Sequence, residues 1–161
     1  MRKELYQRLR ALLLEPENGL GIKHVDLWNH NVEFLEQEAV WDRPAVFIEF
    51  CPIKWEAQQR GVSYRAEPLV RLHIVTDWVE RLDTQLDESL TDESEVESAL
   101  DELSLSEAIH GVIGCLDGES FYGFDIVETA TNHNHEDIVE SIDTYQCVAY
   151  RQFFNLNKCP H

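Results

Sequence analysis

The sequence predicts an α+β fold: an antiparallel or mixed sheet of about four to five strands with two helices packed on one face. Three observations predict it. Leucines recur at helical spacing near the start, and a second apolar stripe of period 3.6 begins near residue 104. Runs of β-branched and aromatic residues, "AVFIEF", "VRLHIVT", "FYGFDIVETAT" and "IDTYQCVAYRQFF", follow each helix. The order helix, strands, helix, strands lacks the regular alternation that a parallel crossover sheet requires. With 161 residues and 43% apolar content, residues 1–161 are expected to form a single domain that buries its core without staples.

The opening helix places Leu5, Leu9, Leu12 and Leu13 on one face, and Pro16 with the Asn18-Gly19 pair stops it. From Lys23 the alternation is imperfect, and Val25, Leu27, Val32 and Phe34 suit short strand pieces. Val46, Ile48 and Phe50 share one face of the next strand. In its partner, Val70, Leu72 and Ile74 alternate with Arg71, His73 and Val75. Pro68 removes a ladder donor, which predicts an edge or a bulge there. Between these strands stand about ten residues, too many for a tight hairpin turn. They carry Lys54, Trp55 and Arg60, with Tyr64 and Arg65 just beyond, a mixture of aromatic anchors and cations typical of protein interfaces. The alternative is that Trp55 folds back onto the sheet as core.

Residues 84–103 are dominated by acids, Ser and Thr and read as an acidic insertion or loop. In "SLSEAIHGVIGCLDG", Ser104 and Glu107 form a capping box, and Leu105, Ala108, Ile109, Val112, Ile113 and Leu116 make one stripe that Gly118 is placed to terminate. The last two strands form an antiparallel pair joined by "NHNHEDIVES".

The formal charge of −18 is unevenly distributed: from Leu82 to Tyr150 there is no Lys or Arg, while 18 of the 31 acids lie in that interval. An anionic second half repels phosphates and argues against a nucleic-acid groove built from it. No apolar run reaches the roughly 20 residues of a membrane helix, and the start lacks a secretory cleavage pattern, so a cytoplasmic, membrane-free protein is expected. Cys51, Cys115, Cys147 and Cys159 form no CxxC pair, sit in apolar segments and read as buried free thiols.

Catalytic chemistry finds little support. His133, His135, Glu136 and Asp137 cluster in "HNHED", but their spacing matches no metal motif and suits a hairpin tip. There is no GxSxG, no glycine-rich phosphate loop, and no carboxylate pair distinguishable among so many acids. The expectation is a protein that is not an enzyme and has no cofactor.

The segments "LYQRLRALLL", "RPAVFIEF", "KWEAQQRG", "YRAEPLVRLHIVT", "LSEAIHGVIGCLDG" and "TYQCVAYRQFF", in that order, resemble the tail-terminator and tail-completion proteins of long-tailed bacteriophages. The resemblance implies a structural protein of the virion, assembled in the host cytoplasm. It implies a ring, commonly a homo-hexamer, that caps the tail tube and joins it to the head connector or neck protein. Lys54, Trp55, Arg60, Tyr64 and Arg65 would then contact a neighbouring subunit or the tube protein. Asp92, Glu93, Glu95, Glu97, Asp101 and Glu102 are candidates to face a DNA channel without binding nucleic acid specifically. Two other readings compete: an acidic nucleic-acid mimic or inhibitor using the anionic half, and a metal-dependent enzyme centred on His133 and His135.

Overall fold

The structure, a computed structural model, describes residues 1–32, 41–77, 104–132 and 138–153. Helix α1, Arg2–Leu14, buries Leu5, Leu9 and Leu13, the i, i+4, i+8 leucines of the predicted stripe. Its end is closed by Asn18, whose Nδ2 donates to the Leu12 carbonyl at 2.9 Å, and by a short 3-10 turn over Pro16–Asn18. Gly19 follows with φ 67°, a left-handed position that glycine adopts without a Cβ penalty.

Among the described residues seven strands make one mixed sheet: β1 His24–Leu27, β2 Ala45–Phe50, β3 Glu56–Gln59, β4 Ser63–Ala66, β5 Leu69–Asp77, β6 Phe121–Asn132 and β7 Ile138–Gln152. The expectation of four to five strands is therefore too low. The physical reason lies in register. β4 and β5 both pair with the same edge of β7 and in the same frame, Ser63 opposite Gln152 through to Asp77 opposite Ile138, so they are one long row interrupted at Glu67-Pro68. β2 pairs with β5 and β3 with β4, so they form a second interrupted row. The interval read as a long loop is thus the distal half of one bent hairpin, with its tip at residues 60–62. Pro68 does not lie at the sheet edge; it sits inside the sheet at the interruption, where its missing donor is tolerated. β1 adds in parallel to β2, and β6 covers the free edge of β7 in antiparallel fashion. Val25 and Leu27 lie in β1 as expected, Val32 stands in a turn and not in a strand, and Phe34 falls outside the described residues.

The second helix, α2, spans residues 104–113. It stops before Gly118: Cys115 takes the left-handed position, with φ 60°. Gly118 has a different task, since a Cβ there would come within 2.4 Å of both a Glu4 carboxylate oxygen and the Phe121 ring.

The two helices share one face of the sheet. Leu5, Leu9 and Leu13 of α1 and Ile109 and Ile113 of α2 meet Val46, Ile48, Val70, Leu72, Ile74, Tyr145 and Cys147 in the main core. Each such aliphatic side chain contributes about 1.5–3 kcal/mol through burial. Two polar ties fix the helices to the sheet. Buried Asp143 accepts hydrogen bonds from Ser106 Oγ at 2.6 Å and Thr129 Oγ1 at 2.8 Å, and Glu4 accepts from the backbone N–H groups of Glu119 and Ser120.

The opposite face carries a second, smaller core of Val32, Ala45, Phe47, Val75 and Ile138, with Trp28 and Trp41 packed against it. His73, which alternation places on this face, is buried there. Its ring stacks on Trp28 with centroids 3.7 Å apart, and its nitrogens lie 2.6 Å from Glu140 and 3.1 Å from Glu49.

Candidate interaction surface

Of β3 and β4 only Ala66, at the end of β4, is buried, so most of the hairpin's distal half lies outside the two main core clusters. All four residues of β3 are exposed. The predicted residues are distributed over this half. Trp55, just before β3, is half-buried, packs against the rim of the main core, and has the Arg151 guanidinium 5.2 Å from its ring centroid. Tyr64 meets Phe153 edge-on at 5.9 Å, and its hydroxyl accepts the Gly61 N–H at the hairpin tip. Arg60 is exposed at that tip, and Lys54 is exposed beside a shallow hollow that Arg65 also lines. Arg65 pairs with Glu67 at 2.6 Å, a hydrogen bond that raises the guanidinium's pKa. Trp55, Tyr64 and Arg65 thus face partners at the end of β7, Arg65 standing opposite Tyr150, whereas Lys54 and Arg60 are exposed away from it.

Several surface residues had no distinguishing signal in the sequence. Arg151 lies over both Trp55 and Phe153, the latter at 5.8 Å, because β4 is registered on the last residues of β7. Tyr122 and Tyr150 stack at 5.9 Å across β6 and β7, and with Phe153 they leave three large aromatic side chains more than 40% exposed. Only the pairing register brings these residues together; in the sequence they look like ordinary strand residues.

Between the start of α1 and the distal hairpin lies an open cleft of about 640 Å³. Arg2, Lys3 and Arg151 supply its charge, and Ile53, Trp55 and Tyr150 its apolar and aromatic wall. Among the described residues no Asp or Glu lines it, in a chain with 31 acids and 13 bases. The carboxylate of nearby Glu4 is already engaged. Burial alone would raise its pKa, but hydrogen bonds from the Ser120 hydroxyl and the Glu119 and Ser120 N–H groups, together with Arg8, hold it below the ordinary value.

The thiols divide by environment. Cys51 and Cys147 are buried and unbridged as expected, and burial pushes the Cys147 thiol up to about 11. Cys115 is exposed, against expectation, because the helix ends before it and turns its backbone left-handed. The six acids Asp92, Glu93, Glu95, Glu97, Asp101 and Glu102, the cluster His133, His135, Glu136 and Asp137, and Cys159 all lie outside the described residues.

No protein-family model matches the chain, and no curated protein sequence does. Among solved structures, it is similar to a chain in the virion of a native gene transfer agent particle. The two share 11% identity over 94% of this chain and 95% of that one, with a TM-score of 0.54. At that identity the likeness shows a common fold.

Proposed function

We propose that this chain is a non-enzymatic structural subunit of a phage-like tail. Its copies form a ring, hexameric by the family resemblance, that caps the tail tube and joins it to the head connector or neck protein. The observation that carries this reading is the fold likeness to a gene transfer agent virion chain, which runs almost from end to end of both chains. The shape of the molecule agrees with it. A hairpin half that is mostly exposed, with only Ala66 buried, flanked by exposed Tyr122, Tyr150 and Phe153, is suited to contacts outside the subunit. Buried, unbridged Cys51 and Cys147, whose thiols burial pushes up, suit a structural role too. Such a subunit would assemble in the host cytoplasm and end in the virion. Among the described residues no helix is long and apolar enough to cross a membrane.

Electron microscopy and native mass measurement of the purified protein test this reading. Rings of identical subunits with a central hole are expected. A particle that stays a single subunit at every concentration and competes with DNA for a basic protein would replace it with the acidic-mimic reading.

A further inference from the structure

We infer that the cleft formed by Arg2, Lys3, Trp55, Tyr150 and Arg151 receives the acidic stretch of a second copy of this chain, residues 83–103, and that this contact is the junction between ring neighbours. The inference rests on the ring reading above and names the residues that would join its subunits.

Charge complementarity is the first support. Three bases, with no lining acid among the described residues, are concentrated at one place on a molecule of net charge −18. Residues 83–103 offer nine acids and no base, interspersed with Leu86, Leu90, Val96 and Leu100. Carboxylates would meet the Arg and Lys side chains, and an aliphatic residue between them would meet Trp55 and Ile53. Arg adds geometric selectivity, because its planar fork accepts a carboxylate through two parallel hydrogen bonds.

Placement is the second support. β5, after which the acidic stretch follows, ends at Asp77 opposite Ile138, whereas the cleft is built on Arg151 at the other end of β7. The thirteen steps between them along β7 correspond to roughly 40 Å at the rise of a strand. The described residues on either side of the stretch, Asp77 opposite Ile138 and Ser106 bonded to Asp143, both lie away from Arg151 along β7. A contact between unlike surfaces repeats head to tail, and closes into a ring when the rotation permits. A nucleic-acid duplex is a poorer occupant, since three bases would have to offset its phosphates against the charge of the whole chain.

A charge exchange in the full-length protein tests the inference. The cleft variant is Arg2→Glu with Lys3→Glu, two exposed positions in the first turn of α1 where an acid suits the helix end. Arg151 is kept because it stacks on Trp55. The segment variant is Asp92→Lys, Glu93→Lys, Glu95→Lys and Glu97→Lys. Sedimentation should show each variant alone associating at least tenfold more weakly than the unaltered chain. An equimolar mixture should regain assembly, because the acidic cleft of one meets the four lysines at positions 92–97 of the other and the reverse pair also matches. Variants that assemble like the unaltered chain would overturn the junction and leave the ring standing. A labelled synthetic peptide of residues 83–103 separates the two readings. If the unaltered chain stays single but binds this peptide, and Arg2→Glu with Lys3→Glu abolishes binding, the ring falls and the cleft keeps its occupant. Failure to bind the peptide, or its displacement by an equal concentration of duplex DNA, overturns the inference.

Discussion

Glu4 shows how much a single exposed-looking acid on a helix can do. It joins α1 to the turn before β6 through the N–H groups of Glu119 and Ser120 and the Ser120 hydroxyl, and Gly118 must lack a Cβ for that approach. Its carboxyl pKa is held below the ordinary 4.5 in the folded chain. The unfolded chain therefore binds a proton more readily, and stability from this contact is fully present above the unfolded value and lost as pH falls through the folded one. Glu4→Gln should be less stable than the unaltered chain to urea at pH 7, with a difference that narrows as pH falls below about 4.5. A difference that stays constant or widens on acidification would show that the carboxylate's charge is not what holds the turn. His73 is the buried counterpart. Its ring fills the space between Glu140 and Glu49 under Trp28, so the polar atoms on that face have partners in a position that alternation assigns to solvent.

At the scale of the element, the bent hairpin is the unit that matters. Its proximal half, β2 and β5, is held between two cores; its distal half, β3 and β4, is held by pairing with β7 and by the packing of Trp55, Arg151, Tyr64 and Phe153. Truncating an interface Trp typically costs on the order of 2 kcal/mol or more in association. Trp55→Ala should therefore keep its circular dichroism and its cooperative unfolding, because Trp55 sits at the rim of the core, while its assembly in sedimentation weakens by at least tenfold. A variant that unfolds while its folded fraction assembles normally would make Trp55 a core residue and leave the interface to other parts of the hairpin.

The whole molecule is governed by its charge. A formal −18 on 161 residues means self-repulsion within one subunit, relieved by salt within a screening distance of about 8 Å at physiological ionic strength. Junctions made by opposite charges respond to salt in the other direction. Raising sodium chloride should thus move the urea midpoint of dilute, separated subunits upward while weakening their association at higher concentration. Parallel strengthening of both would mean that the junction is apolar. Opposite signs in one titration would locate the repulsion within the subunit and the attraction between subunits.

Local chemistry by itself determined the two leucine and isoleucine stripes, the caps at Asn18-Gly19, the final strand pair and the α+β class, because periodicity and turn residues act over a few positions. It also determined the charge asymmetry, which is a property of composition. The tertiary structure alone decided that the "KWEAQQRG" interval is hairpin and not loop. Short polar strands such as Glu56–Gln59 carry no apolar alternation, and they exist only because β4 is registered on the end of β7. The same register decided the cleft. Arg2 and Arg151 stand almost a full chain length apart in sequence, and no local pattern reports that β7 returns its last residues to the start of α1.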